Sequence, residues 1–404
     1  MKVALVSIYS MDSTMPLAKH LADQGADVHL YGAMPSYNQN LFVVDFSKEP
    51  QPYGFVDTPF ADRKMGKGLV GYMSGLKTNY FVYPSGFGKK TLLADLQYAW
   101  RFSRHLKNHK FDIIHLIHTG NRFSLLLMWL LRKENLVQTL HEVTGHSGDT
   151  SSYDVKILKK LIKENIPVIF NSQVSKDRFA AFRASVTKAP FREKLYKMIR
   201  FSLYETYHHF SQDENIEDSK TTAAPVPVIL HFGRIVPYKG IDILIDAVKI
   251  LQETQPVHLV IAGGGAPYFS FEGINSYEFI NYAISNEEII ALIKRCTVVV
   301  CPYRSASQSG IPMTVYSFNK PIIGSSAGGL KEVIDHNVTG LLVDTLDAPS
   351  FASAIGSLIS NEPLQEEMIR NIKNKYNKGA FSWPSIAGET LTFYKDNYPG
   401  LQGK

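Results

Sequence analysis

HFGRIVPYKGIDILIDA, residues 231–247, decides how this chain is read. An apolar strand, Val226 to Phe232, breaks at Gly233 into a short basic loop, and a helix is expected from Gly240. Arg234 and Lys239 stand five residues apart at that strand-to-helix junction. In an open α/β sheet, ligands bind at the carboxyl ends of the strands, where loop amides and helix N-termini favour anions. Arginine offers a planar fork of donors and lysine a mobile point charge, so the pair suits a diphosphate. The competing reading is two turn glycines and two solvated charges.

A second constellation lies in residues 297–344, TVVVCPYRSASQSGIPMTVYSFNKPIIGSSAGGLKEVIDHNVTGLLVD. Thr297 to Pro302 is β-rich, and the small polar segment Ser305 to Gly310 leads into a helix over Ile311 to Phe318. Pro312 fits a first helical turn, where its missing N–H is not needed. The amides of Ser309 and Gly310, with the Ser307 and Ser309 hydroxyls, would form a second anion nest. Pro321 to Gly324 then reads as a strand, Ala327-Gly328-Gly329 as a tight turn and Leu330 to Ile334 as a short helix. Two anion sites in one Rossmann-like unit point to a nucleoside diphosphate.

These residues carry a resemblance. Gly233-Arg234 with Lys239-Gly240, then Pro302-Tyr303, a small-residue loop, a helix, Lys320-Pro321-Ile322-Ile323, Gly328-Gly329 with Glu332, and Thr339 to Val343 resemble the donor half of glycosyltransferase family 4, over residues 226–345. The resemblance implies an α/β GT-B fold, with two Rossmann-like doubly wound domains facing each other across a cleft. It also implies retention of anomeric configuration. One departure stands out: the family's two glutamates, eight residues apart, fall here on Ala306 and Thr314. Other members resemble this chain in a Ser-Gln-Ser-Gly loop, which implies that Gln308 or Ser309 takes over the sugar contact.

The first half repeats a β-α pattern. Strands are expected near Val3 to Ile8, Asp27 to Tyr31, Asp112 to His118, Val137 to His141 and Pro167 to Asn171. Helices are expected over Ser13 to Asp23, Leu92 to His109, Arg122 to Lys133, Val155 to Glu164 and Ser172 to Phe182. That pattern predicts a doubly wound, mostly parallel sheet. The expected domains are an acceptor-side unit, 1–213, and a donor-binding unit, 226–382, joined by a polar linker, with a helix over 383–398 packing back on the first. Thr139-Leu140-His141-Glu142 ends a strand at the sheet's carboxyl edge. A lone histidine is usually structural, but the resemblance places a histidine here against the donor sugar; Glu142, His146 and Ser147 follow in the same loop. Ser7 to Met15 resembles the family's glycine-rich loop in position, but Tyr9 to Ser13 contains no glycine, so Asp12 or Ser13 is expected to cap the first helix.

At 404 residues, 45% of them apolar and 20% charged, the chain exceeds a single core and suits two domains. The N-terminus enters a strand at once, without the apolar region and cleavage site of a signal peptide, and the longest apolar run, Phe123 to Leu131, is far short of a membrane span of about 20 residues. Cys296 and Cys301 flank one expected strand on opposite faces and are expected to stay reduced. Charge is uneven: residues 1–225 hold 29 Lys and Arg against 21 Asp and Glu, and residues 226–404 hold 14 against 16. Within the basic half, Ala61 to Lys110 mixes ten basic and two acidic residues with Tyr72, Tyr80, Phe81, Tyr83, Phe87, Tyr98, Trp100 and Phe102. Such a mixture suits an anionic bilayer surface; the alternative is a solvated face with its aromatics in the core. No nucleic-acid motif is present.

The combined expectation is a cytoplasmic glycosyltransferase, peripheral on the inner face of the membrane, working in polysaccharide or cell-envelope glycan synthesis. Its partners would be a UDP- or GDP-linked nucleotide sugar, a glycan or lipid-linked acceptor and an anionic membrane surface. No cofactor and no metal would be required. By resemblance His141, Arg234 and Lys239 are the catalytic candidates, and Gly233, Gln308, Ser309, Gly310 and Glu332 would bind the donor. A sugar-nucleotide epimerase and a noncatalytic sugar-nucleotide-binding subunit remain open as alternatives.

Overall fold

The computed structural model describes residues 1–8, 11–84, 90–117, 120–141, 143, 152–210, 226–305 and 310–403. The chain divides into two compact units, Met1–His209 with Ala380–Lys404, and Phe210–Gly379. The polar linker expected over 213–227 falls almost wholly outside the described residues.

The first unit is built on strands β1 (Lys2–Ile8), β2 (Asp27–Pro35), β3 (Gly54–Phe55), β4 (Lys77–Tyr83), β5 (Ile113–Ile117), β6 (Leu136–Leu140), β7 (Val168–Phe170) and β8 (Tyr196–Met198). They form one sheet in the order β3-β4-β2-β1-β5-β6-β7-β8, parallel except for the β3–β4 pair. A strand covered on both faces reads as an unbroken apolar run, and β1 does so: from Val3 to Ile8 every residue is buried. Helices α1 (Thr14–Asp23), α2 (Thr58–Met65), α3 (Lys67–Tyr72), α4 (Leu92–Asn108), α5 (Arg122–Leu130), α6 (Ser152–Glu164) and α7 (Gln173–Val186) connect the strands. Ser13 stands before α1, but its side chain makes no capping bond; its own N–H donates to Asp12 Oδ1. The Arg122 guanidinium is paired with the fully buried Asp95 of α4, and Thr91 bonds to both.

The second unit carries β9 (Val228–Phe232), β10 (His258–Ala262), β11 (Tyr277–Ile280), β12 (Val298–Cys301), β13 (Ile322–Ser325) and β14 (Gly340–Val343). All neighbours are parallel, in the order β11-β10-β9-β12-β13-β14. The chain runs outward from β9 to β11 and then returns to the other side of β9 with β12. That reversal is the topological switch point, where open α/β sheets place their ligands. The helices are α8 (Ile241–Gln252), α9 (Asn286–Arg295), α10 (Ile311–Ser317), α11 (Ala348–Ile359) and α12 (Glu362–Lys378). Glu288 and Ser285 close a reciprocal cap on α9. The helix expected over Leu330 to Ile334 is instead a 3-10 turn, Gly328–Glu332. Cys296 caps the C-terminus of α9 and precedes β12 in the chain; both cysteines are buried and free.

The last helix, α13 (Trp383–Asn397), belongs to the first unit. It packs on α1, and Trp383 Nε1 donates to the Leu203 carbonyl at 2.8 Å. Among the described residues no helix is long and apolar enough to cross a membrane.

Candidate active site

Strand β9 ends at Phe232, and the loop that follows stays bonded to the end of β10 and the glycines after it: Gly233 N–H donates to the Ala262 carbonyl and Ile235 N–H to that of Gly264. Arg234 lies between these anchors with its side chain exposed. The chain then makes a 3-10 turn, Pro237–Lys239, and enters α8 through Gly240 in the left-handed conformation, φ 66°. A Cβ on Gly240 would sit 2.0 Å from the Pro302 carbonyl oxygen, so the loops after β9 and β12 touch backbone to backbone.

Lys239 closes this contact. It is only 9% exposed, with Nζ 3.8 Å from the centre of the Tyr303 ring. Burial pushes its ammonium down to about 8, and the nearby Arg234 charge acts in the same direction. The Tyr303 face offers a cation–π contact in place of lost water. Beneath it, His231 is buried and held near 4 chiefly by that burial; its Nδ1 pairs with the Val300 carbonyl at 2.9 Å. The loop thus presents one buried cation that gives up its proton more easily than an ordinary lysine, beside one exposed guanidinium.

Sequence reading missed the group that fixes this geometry. Arg304 N–H donates to the Tyr238 carbonyl at 2.8 Å, Nη1 to the Pro237 carbonyl at 2.8 Å and to Asp242 Oδ1 at 2.9 Å, and Nη2 to Asp242 Oδ2 at 2.5 Å. Asp242 lies in the first turn of α8, whose Ile241 N–H donates to the Tyr268 hydroxyl at 3.0 Å. One arginine from the β12 loop therefore clamps the phosphate-loop candidate to the start of α8. No periodicity could have paired residues 62 positions apart. The glycine run after β10 was a readable signal: a Cβ on Gly263 would lie 1.9 Å from the Gly233 carbonyl oxygen.

Gly310 stands at the N-terminus of α10, with Pro312 in the first turn. Gln308, Ser309 and Ala306 lie outside the described residues. Thr314, at the position of a family glutamate, is buried and its hydroxyl donates to the Gly310 carbonyl at 3.2 Å. Glu332 ends the 3-10 turn that follows β13, the strand beside β12. Gly233, Arg234, Lys239, Gly310 and Glu332 all belong to the second unit and follow strand ends of one sheet.

His141 belongs to the first unit, immediately after β6 on its carboxyl edge. Its carbonyl accepts from Ser175 Oγ at 2.8 Å, and its ring meets Phe201 edge-on at 5.8 Å. It lines a cavity of about 30 Å³ with His115, Thr139, Asn171, Arg200 and Trp383 among others. His115 is bonded at Nδ1 to the Tyr394 hydroxyl and at Nε2 to Thr139 Oγ1, both at 2.7 Å; burial, with the nearby His141, holds it near 3 and therefore neutral. Glu142, His146 and Ser147 lie outside the described residues. Among the described residues no group of three or more His, Cys, Asp or Glu could hold a metal ion.

Comparison with known proteins agrees with this architecture. Residues 212–375 match the family model of glycosyl transferases group 1, and residues 13–189 that of glycosyltransferase family 4. An uncharacterized glycosyltransferase of Methanocaldococcus jannaschii is 25% identical over 312 residues, 71% of this chain and 75% of the relative. Sucrose-phosphate synthase from Thermosynechococcus elongatus shares the fold with a TM-score of 0.64 at 17% identity, covering 99% of this chain and 100% of the other. Anabaena HepE in complex with UDP-glucose does so with a TM-score of 0.64 at 17% identity, covering 97% and 99%. The chain belongs to the group 1, family 4 glycosyltransferases and has their GT-B fold.

Proposed function

We propose that this glycosyltransferase moves a sugar from a UDP- or GDP-linked donor to a glycan or lipid-linked acceptor, with retention of anomeric configuration. The observation that carries this reading is the pair of cations, Arg234 exposed and Lys239 buried, at the switch point of the second sheet. Charge grows on the diphosphate as the glycosidic bond breaks, and preorganised donors at that place lower the barrier. Arg234 and Lys239 take that charge, so the scheme requires neither a metal nor an organic cofactor. Gly233, Gln308, Ser309 and Gly310 surround the diphosphate and sugar, and Glu332 orients the loop or meets the donor. His141 faces the transferred sugar. The leaving phosphate takes the acceptor proton on the front face of the donor, so no protein nucleophile is needed. UDP-glucose bound to HepE, a protein of the same fold, supports a nucleotide-sugar donor.

The first unit takes the acceptor. Its excess of basic residues supports a cytoplasmic enzyme at an anionic membrane face, in polysaccharide or cell-envelope glycan synthesis. One observation favours a noncatalytic sugar-nucleotide-binding subunit: Thr314 spends its hydroxyl on Gly310 and supplies no carboxylate. A panel of UDP- and GDP-sugars, followed for binding, hydrolysis and transfer, separates the readings. The expected result is release of nucleoside diphosphate with a product of retained configuration by NMR. His141→Ala should lose that turnover while nucleoside-diphosphate affinity stays near wild type. Tight donor binding with neither transfer nor hydrolysis would select the binding subunit, and conversion of the sugar nucleotide without acceptor would select an epimerase.

A further inference from the structure

Helix α4 turns an apolar surface outward. Leu93 is 81% exposed, Trp100 51%, Leu92 48% and Leu96 39%, and all four fall within the first nine residues of the helix. Taken at 100° per residue, Leu92, Leu96, Trp100 and Leu93 share one stripe about 100° wide. Buried apolar residues of the same helix, Ala99, Phe102 and Leu106, lie together on the flank beside Leu92 and fill the core. Scattered surface leucines are ordinary, whereas a continuous apolar stripe marks an interaction site.

The charges around the stripe say what covers it. Lys90, Arg101, Arg104 and Lys107 are exposed along the helix and just before it, and Lys110 follows. The Arg104 guanidinium lies 5.3 Å from the Trp100 ring centre. The only acidic residue of α4, Asp95, is fully buried and paired with Arg122, so the outward face carries a single sign. A second copy of the chain would set these cations against their like. Acyl chains under anionic headgroups satisfy both halves: leucine and tryptophan enter the interface, and arginine and lysine meet phosphate. The apolar turns lie at the start of the helix, hence at the carboxyl edge of the sheet, the same edge that holds His141.

We propose that the exposed face of α4 docks this protein on an anionic phospholipid bilayer, with Leu93, Leu96 and Trp100 inserted and Arg101, Arg104 and Lys107 on the headgroups. This deepens the membrane part of the functional reading and rests on it. It replaces the broader mixture of 61–110, because Tyr80, Phe81, Tyr83 and Phe102 from that stretch are core residues.

The test is sedimentation of the full chain with vesicles of phosphatidylglycerol and phosphatidylcholine in equal parts, beside pure phosphatidylcholine, at low and high salt. Binding should require the anionic lipid and fall with salt. Arg101→Gln/Arg104→Gln should weaken it roughly thirtyfold at low salt, as about 1 kcal/mol per basic residue near the surface implies. Leu93→Ala/Leu96→Ala should weaken it by roughly tenfold, and because both side chains are exposed the melting temperature should hold. In a Trp129→Phe background, which removes the other exposed tryptophan, Trp100 emission should shift to the blue on vesicle addition. Absence of binding, wild-type binding by both variants, an unshifted Trp100, or a dimer dissolved by the leucine substitutions would overturn the proposal. Nucleoside-diphosphate binding, measured without vesicles, reports on the donor site separately, so either reading can fail alone.

Discussion

Lys239 is enclosed, and its charge survives on the face of Tyr303 and on whatever anion it meets. Burial brings its ammonium to about 8, against an ordinary value of 10.5, so the folded protein releases this proton well before the unfolded chain does. Below about 8 both states are protonated, and the folded state bears the full cost of a buried charge. As pH rises from about 8 to 10.5 that cost is relieved, so this residue's contribution to stability becomes more favourable with pH. Binding runs the other way, because a diphosphate needs the ammonium. Nucleoside-diphosphate affinity, measured by calorimetry, is expected to fall as pH rises through about 8, and Lys239→Gln should flatten that fall while binding more weakly throughout. A profile identical in wild type and variant would place the anion elsewhere. In turnover, Lys239→Ala should cost roughly 2.7 to 4 kcal/mol of barrier, the scale of a lost charge-stabilising donor.

At the scale of elements, the junction of β9 with α8 depends on the absence of a side chain at Gly240. Alanine there would hold a left-handed backbone at a cost of about 1–2 kcal/mol and drive its Cβ against the Pro302 carbonyl. Gly240→Ala should therefore lower stability by about 2 kcal/mol or more in urea titration and weaken nucleotide binding by separating the two loops. Wild-type stability and affinity together would show that the loops do not meet. This junction was readable because its signals are local: an apolar run, a glycine, two cations, a second glycine. The strands β1, β5, β6, β7, β9 and β12 were legible for the same reason. Strand β4 was not, since the buried run Tyr80 to Tyr83 that ends KTNYFVY was absorbed into a basic, aromatic stretch and read as part of a surface. The Arg304–Asp242 clamp and the seat of Lys239 on Tyr303 were invisible as well, because strand order creates them and neither residue announces its partner.

For the molecule as a whole, net charge does not guide the donor. Residues 226–404 hold 14 Lys and Arg against 16 Asp and Glu, so the proposed donor site would draw its anion by the local placement of Arg234 and Lys239 and not by a general field. Ligand stabilisation should then be concentrated in Phe210–Gly379, the unit that contains both loops. A nucleoside diphosphate at 100 times its dissociation constant stabilises the form that binds it by about 2.7 kcal/mol. Hydrogen exchange of the full chain, with and without saturating UDP or GDP, should show its largest slowing at the end of β9, the start of α8 and the segment joining β12 to α10. The base that raises the melting temperature more identifies the donor's nucleotide. The core of the first unit, strands β1, β5 and β6, should exchange at rates the nucleotide changes far less. Protection confined to residues 1–209 would move the nucleotide to the other unit and remove Arg234 and Lys239 from the mechanism.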